Sequence, residues 1–114
     1  MEFLALIHGD EGSWEVMSDD ERQSVYQRYM DFSGRPEVVG GAELQSTDTA
    51  STVQVRNGDR LVTDGPYAEV KEALGGFFIL EAPSIDDACR LAAEIPAAEH
   101  GAIEVRPVYV REGS

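Results

Sequence analysis

The spacing of apolar and polar residues predicts six strands and two helices along the chain. The predicted strands are residues 2–8, 38–44, 52–56, 60–63, 77–82 and 102–110. In the last of these, Ile103, Val105 and Tyr109 fall on one face, and Glu104 and Arg106 fall on the other. Asn57-Gly58, between two alternating runs, predicts a hairpin.

Two helices are predicted from their N-terminal residues. Ser18 and Glu21 have the spacing of a capping box, which predicts a helix over residues 18–33. Its expected buried stripe is Val25, Tyr26, Tyr29 and Met30. Ser84 is positioned to cap the second helix. The apolar stripe of that helix is Ala88, Leu91, Ala92 and Ile95. A short helical turn is also expected at residues 67–74, before the strand that begins at Phe77.

This order of elements is that of an α+β, ferredoxin-like sandwich with a hairpin insertion, and we expect a single domain over residues 1–110 with a short tail at 111–114. The two helices can cover only one face of the sheet. Residues 3–7 and 77–80 are nevertheless apolar on both faces. We therefore expect a homodimer that packs sheet to sheet.

Charge and cysteine content narrow the possible partners. The 114 residues carry a formal net charge of -13, which repels nucleic acid and anionic membrane surfaces. The N-terminal apolar run is too short for a secretion signal, and we find no run near the ~20 residues of a membrane span, so we expect a cytoplasmic protein. Cys89 is the single cysteine and cannot form an internal disulfide or a thiolate metal site alone.

Several separated motifs follow one another in a recognisable order. They are Thr63-Asp64-Gly65-Pro66-Tyr67, Glu69, Lys71-Glu72, Gly75-Gly76-Phe77 and Ile103-Glu104-Val105-Arg106-Pro107. Their order and spacing resemble the YCII-related family in its DGPF branch, with Tyr67 at the place of the branch's phenylalanine. The resemblance implies a dimeric α+β barrel.

The resemblance carries less information about activity. The wider group is similar to small enzymes with a proposed His/Asp pair beside the first helix, but residues 18–33 contain no histidine, so that pair is not carried over. The DGPF branch resembles proteins of unassigned activity that are often encoded beside extracytoplasmic-function sigma factors. This implies an accessory or regulatory role as an alternative to catalysis.

Candidate site residues have both structural and functional interpretations. Asp64 either accepts hydrogen bonds within its own turn or presents a carboxylate that binds or deprotonates a ligand, and Tyr67 either covers the core or donates to that ligand. Glu104 and Arg106 share a strand face that enters either the dimer cavity or the helix-covered layer. They are expected to pair with each other or with Asp64, Glu69 or Lys71, as an architectural clamp or as a polar pocket. Glu69 and Lys71 are also ligand-binding candidates.

His8 closes the first predicted strand, on the same side as Leu4 and Leu6. It is either a core residue or an acid/base group paired with Asp10. His8, Asp10 and His100 have no recognisable metal-binding spacing, and we predict no metal and no cofactor. Two functions follow as hypotheses: a dimer that binds a small polar or aromatic metabolite, with Asp64 and His8 as proton-transfer candidates, and an acidic accessory partner of a sigma factor.

Overall fold

Residues 1–111 are described by a computed structural model that contains six strands and two α-helices. The strands and α-helices, in chain order, are β1 (Glu2–Gly9), α1 (Asp19–Ser33), β2 (Val38–Glu43), β3 (Ser51–Arg56), β4 (Asp59–Asp64), β5 (Ala73–Glu81), α2 (Ile85–Ala92) and β6 (Ala102–Pro107). Short 3₁₀ helices lie at Glu11–Ser13, Thr47–Thr49 and Pro96–Glu99.

Four strands form one antiparallel sheet in the order β2-β5-β1-β6. Two β-α-β units, β1-α1-β2 and β5-α2-β6, therefore interleave so that β5 and β1 lie at the centre. This arrangement is the ferredoxin-like sandwich predicted from the sequence. The predicted α+β class is confirmed, whereas the dimeric barrel stays a prediction.

The hydrophobic core lies between the helices and one face of this sheet. Phe3, Ala5 and Leu80 are buried on that face, and the rings of Phe32 and Phe78 meet edge to face with centroids 5.0 Å apart. The predicted stripe of the second helix is confirmed, since all of its members are buried: Ala88, Leu91, Ala92 and Ile95. This face of the sheet is thus fully used for folding.

The first helix begins where predicted but buries a different stripe. Phe32 is buried and Val25 and Tyr29 are partly buried, whereas Tyr26 and Met30 are exposed. The spacing of the first three residues, i, i+4 and i+7, places them on one side of the helix. The prediction was therefore wrong for Tyr26 and Met30, and it missed Phe32.

Both predicted helix caps are present. The Ser18 hydroxyl oxygen accepts a hydrogen bond from the Glu21 N–H at 3.1 Å, and the Ser84 hydroxyl oxygen accepts one from the Asp87 N–H at 3.2 Å. Each bond satisfies an amide that the first helical turn would otherwise leave without a partner.

The predicted hairpin is confirmed as a two-stranded sheet of β3 and β4, separate from the four-stranded sheet. Arg56 pairs with Asp59 across its two-residue turn. The backbone angle φ is 53° at Asn57 and 80° at Gly58, positive at both central positions. Positive φ at both positions is the requirement of a type I′ turn, which Asn-Gly meets best.

Three predicted boundaries differ from the structure. The helical turn at residues 67–74 is absent from the described chain, because β5 begins at Ala73 and includes both Gly75 and Gly76. The Leu44 N–H donates to the Gly75 carbonyl at 2.9 Å, which extends the pairing of β2 with β5. The last strand ends at Pro107 instead of residue 110. Of the predicted tail 111–114, residues 112–114 lie outside the described residues, and the single domain stays a prediction.

The chain is more extended than its size requires. Its radius of gyration is 16.4 Å, against about 13 Å for a compact chain of this length. Its accessible surface is 8257 Å², against about 6,200 Å² for a compact monomer of its mass. The hairpin and the uncovered sheet face both contribute to this excess.

Candidate functional site

The face of the four-stranded sheet that points away from both helices, here called the helix-free face, carries an apolar strip. Leu4 lies opposite Ile79 and Leu6 lies opposite Phe77 across the β1–β5 pair. All four side chains alternate with core residues of the same strands and remain partly exposed in the single chain. They form a floor that the chain itself does not cover.

His8 and Glu104 lie at one end of this strip. Across the β1–β6 pair, Leu6 lies opposite Glu104 and His8 lies opposite Ala102, so His8 and Glu104 are diagonal neighbours on the helix-free face. The distance from His8 Nε2 to Glu104 Oε1 is 3.5 Å, but the contact lacks hydrogen-bond geometry. Within residues 1–111, the buried Nε2 atom has no hydrogen-bond partner. A polar atom in this state marks a place where a ligand would gain a hydrogen bond.

The predicted pairing of His8 with Asp10 is wrong. The Asp10 carboxylate instead accepts a hydrogen bond from the Gly12 N–H at 2.9 Å and caps the short helix Glu11–Ser13. Local capping competes successfully for this carboxylate because its partner lies only two residues away.

Two backbone features lie beside His8. The register of β1 with β5 shifts between Ile7, opposite Gly76, and His8, opposite Leu74, so Gly75 is the extra residue of a bulge in β5. Gly101 packs directly against the His8 carbonyl oxygen, where an added Cβ would overlap that oxygen. The main chain at His8 is therefore held from both neighbouring strands.

Arg106 extends the polar end of the site. It lies opposite Leu4 on β6, and its Nε is 3.8 Å from Glu104 Oε2. The side chains of Glu104 and Arg106 are 51% and 70% exposed, so the pair is loose and contributes little to stability in the single chain. Their shared face was predicted correctly, and their burial by a partner copy stays a prediction.

The Asp64-Gly65-Pro66-Tyr67 turn is at the base of the hairpin. The Gly65 N–H donates to the Ala50 carbonyl at 2.7 Å, and the Thr52 hydroxyl donates to the Gly65 carbonyl at 2.8 Å. These bonds close the turn without the Asp64 carboxylate, which is exposed. Both interpretations of Asp64, as the acceptor within its own turn and as a ligand-binding carboxylate, stay predictions.

The other predicted ligand-binding residues lie in the connection from β4 to β5. Tyr67, Glu69 and Lys71 are all exposed there. Among the described residues, the Glu104 carboxylate lies 3.5 Å from the His8 ring and 3.8 Å from the Arg106 guanidinium, and it forms no ion pair with Lys71. The single chain therefore unites half of the predicted site and leaves the hairpin half apart from it.

Sequence reasoning missed the role of Glu11. Its carboxylate accepts hydrogen bonds from the Thr47 N–H at 2.7 Å and from the Thr47 hydroxyl at 2.9 Å. These bonds tie the segment before the hairpin to the loop after β1. No sequence pattern near either residue predicts this contact, because the two residues are 36 positions apart.

An electrostatic pair links α1 to the short helix Pro96–Glu99. Both Arg28 guanidinium Nη atoms donate to Glu99, at 2.8 and 3.0 Å. This hydrogen bonding holds the pKa of Glu99 below its ordinary value and raises the pKa of Arg28. Burial raises the pKa of the nearby Tyr29 hydroxyl.

In residues 1–111, we find no cluster of three or more histidine, cysteine or carboxylate side chains that could hold a metal.

The sheet order, the two helices on one face and the polar site on the other define a small α+β sandwich protein. The model of the YCII-related domain matches residues 1–111, and the chain belongs to this family, as the motifs predicted. Its assignment to the DGPF branch stays a prediction.

Two similar proteins place the chain further. An uncharacterized protein of Rhizobium meliloti (strain 1021) is 33% identical over 115 residues, which cover 95% of this chain and 92% of that protein. A solved structure of 5-chloro-2-hydroxyhydroquinone dehydrochlorinase from Burkholderia phenoliruptrix AC1100, in complex with 2,5-dihydroxybenzoquinone, superposes with a TM-score of 0.53. At 19% identity over 96% of this chain and 94% of that one, this likeness shows the fold alone.

The helices among the described residues are too short or too polar to cross a membrane.

Proposed function

We propose that this YCII-related protein acts as a homodimer that binds a small aromatic metabolite with ring oxygens on the helix-free face and exchanges a proton with it. The observation that carries the proposal is the buried Nε2 atom of His8, which lacks a hydrogen-bond partner within residues 1–111 and lies 3.5 Å from Glu104. A second copy would cover the apolar floor and exclude water from this pair.

The chemistry of the face supports an aromatic ligand. Leu6 and Phe77 offer an apolar surface to a flat ring, while His8, Glu104 and Arg106 lie to one side of it. Ligand sites commonly combine such an apolar lining with a few polar groups that fix orientation. A ring with one or two oxygens on one edge satisfies both parts of this surface.

The proposed proton transfer uses His8 as the base. The O–H bond of a ring hydroxyl breaks, and its proton forms the N–H bond at Nε2, which leaves an oxyanion on the ring. Glu104 is close enough to stabilise the imidazolium that results, and Arg106 supplies a cation for the oxyanion. This arrangement requires an unprotonated His8 before the ligand binds.

The solved structural neighbour suggests the first probe. Its complex contains 2,5-dihydroxybenzoquinone, a flat ring with oxygens of the kind the helix-free face would accept. For this chain that compound is a probe of the proposed ligand class, since the two proteins are shown to share a fold and no more.

Isothermal titration with this probe tests the proposal on the purified protein. His8→Asn removes the base and is expected to weaken binding about tenfold or more, the cost of one hydrogen bond to a charged group. His100→Asn removes the chain's other histidine and serves as the matched control. Equal affinity of the wild type and His8→Asn, or no binding to a wild-type dimer, would overturn the proposal.

The accessory role beside a sigma factor is the alternative. It rests on the resemblance to the DGPF branch and on the net charge of -13, without a surface on the described chain that singles out a partner. The salt dependence of binding to a sigma factor distinguishes this role from the metabolite hypothesis.

A further inference from the structure

The β3–β4 hairpin, residues 51–64 and here called the arm, has its apolar side turned outward. Val53 lies opposite Val62, and Val55 lies opposite Arg60, so these residues share one face. The three valines are 60%, 55% and 61% exposed, in the order Val53, Val62 and Val55. Thr52 and Gln54, on the other face, are the less exposed residues of β3. All of β4 is exposed, and Leu61, on the face opposite the valines, is 46% exposed. A hairpin that leaves this much apolar surface in water needs a second surface to cover it.

The arm has little support from its own chain. It forms a sheet of its own, which the Ala50–Gly65 bond closes at its base, and the Glu11–Thr47 contact ties the segment before it to the rest of the chain. An isolated two-stranded hairpin is marginally stable at best in water. Packing against another surface is therefore needed to hold it.

The size of the exposed surface indicates a large interface. The chain exposes about 2,000 Å² more than a compact monomer of its mass, while a standard interface buries about 800 Å² per partner. Excess surface on this scale fits a permanent homodimer better than a transient contact.

A second copy of this chain is the occupant that charge and symmetry favour. The arm contains Arg56, Asp59, Arg60 and Asp64 and is therefore neutral, on a chain whose net charge is -13. A neutral segment with Arg60 on its valine face can approach an acidic copy without the electrostatic repulsion that the acidic surfaces of the chain would meet. A twofold axis would also bury both arms and both helix-free faces together.

Topology connects the arm to the proposed site. The arm leaves β2, at one edge of the sheet, while Glu104 is on β6, at the opposite edge. Both lie toward the same end of the sheet, since His8 and Ala102 pair near the end of β1 that also pairs with Ala73, where the chain returns from the arm. Closing two such sheets around a twofold axis that runs parallel to the strands would place the β2 edge of one copy beside the β6 edge of the other.

We propose that the arm is exchanged between two copies of the chain: its valine face packs on the other copy and brings Asp64 and Tyr67 of one copy to the His8–Glu104 pair of the other. Asp64 lies on the valine face, because Ser51 and Asp64 pair two positions from Val53 and Val62. The composite site rests on the proposed function, whereas the docking of the arm does not. This exchange would unite the two halves of the predicted site that a single chain keeps apart.

Association is tested first, by the solution mass of the wild type and of two neighbouring variants. Val62→Lys places a charge on the valine face and is expected to halve the mass at micromolar concentration. Thr63→Lys introduces the same charge at the next residue, which lies on the opposite face of the hairpin, and this variant is expected to keep the two-chain mass. The isosteric pair Val53→Thr and Val62→Thr, which preserves hairpin propensity, weakens association at least tenfold with an unchanged circular dichroism spectrum. A monomeric wild type, or a two-chain mass in all valine variants, would overturn the proposal that the arm packs on the other copy.

The composite site is tested by mixing two defective variants. His8→Asn and Asp64→Asn are each expected to lose binding of 2,5-dihydroxybenzoquinone. After subunit exchange, verified with isotopically labelled chains, half of the dimers are mixed. One of the two sites in each mixed dimer combines an unchanged His8 from one chain with an unchanged Asp64 from the other, so about one site in four is intact. Full binding by Asp64→Asn alone, or no recovery in verified mixed dimers, would overturn the composite site. If the wild type does not bind the probe, the proposed function fails, while the arm is still decided by the mass of the valine variants.

Discussion

Gly101→Ala is expected to disturb the main chain at His8. An alanine Cβ at this position would overlap the His8 carbonyl oxygen, and the obstacle is backbone that cannot rotate out of the way. Gly9, next to His8 on β1, offers the comparison, because a Cβ built there meets nothing within 4 Å. The two glycines thus flank the same residue with opposite expectations.

The magnitude follows from comparing the two variants. Replacing glycine by alanine restricts the unfolded chain and stabilises the fold by about 0.4–1 kcal/mol where no strain results. This term is common to both variants and cancels in their difference. Overpacking against atoms that cannot move costs about 1–3 kcal/mol, so Gly101→Ala should be less stable than Gly9→Ala by that amount. For a chain of this size the difference corresponds to about 4–12 °C in Tm.

Urea and thermal unfolding at one protein concentration measure this difference, because the stability of a dimer depends on concentration. Titration with 2,5-dihydroxybenzoquinone then reports whether the altered main chain moves Nε2 away from its ligand position. Equal Tm values for the two alanine variants would refute the close approach of β6 to His8. A stability loss with unchanged probe affinity would refute the positioning role of Gly101.

Four further predictions address the core, the electrostatics, the hairpin base and the alternative function. Ile95→Ala should lower the free energy of unfolding by about 2–5 kcal/mol and Ile95→Val by about 0.5–1.5 kcal/mol, because the side chain is buried; equal urea midpoints would contradict this. Glu99 has a lowered pKa, so its contribution to stability is complete above the ordinary value of 4.5 and is lost as pH falls through the lowered one. An NMR titration should show this pKa rising in Arg28→Gln, and an unchanged curve would exclude the pair as its cause. Glu11→Gln should increase amide exchange at Thr47, whose N–H would lose a charge-assisted acceptor; unchanged exchange would count against the tie. An acidic accessory protein should bind a basic sigma-factor region more weakly as salt increases, so a salt-independent affinity would argue against that role.

Local signals account for most of the fold. Ser18, Ser84 and Asn57-Gly58 each act through hydrogen bonds or dihedral angles within a few residues, and each predicted its element correctly. The motifs were likewise sufficient for the family. Such features are readable because their physical causes lie inside the segment that shows them.

Errors arose where distant contacts decide the outcome. Both Tyr26 and Phe32 could join an apolar stripe of α1, and the position of the sheet selects Phe32. Segment 67–74 has helix-forming residues, but pairing of its last two residues, Ala73 and Leu74, with β1 extends β5 instead. Tertiary pairing overrides local propensity at such places.

The site shows the same division. Alternation alone placed His8 with Leu4 and Leu6, and it placed Glu104 with Arg106. Neither pattern contains the register that makes His8 and Glu104 neighbours, since that register joins the two ends of the chain. Asp10 is closer to His8 in sequence than Glu104 is, and it was therefore the predicted partner of His8. Only the hydrogen bond from the Gly12 N–H to the Asp10 carboxylate shows that Asp10 has a different role.

The use of the two sheet faces explains why a site would form where it does. The helix-covered face is filled by Phe3, Ala5 and Leu80, which belong to the core. The helix-free face keeps its apolar strip accessible and brings His8, Glu104 and Arg106 together on β6 and the end of β1. A second copy, as proposed, would convert that strip into an enclosed floor, and the polar groups beside it would then form the polar end of the cavity. The association that protects the apolar face would thus also create the water-poor environment in which His8 and Glu104 can move a proton.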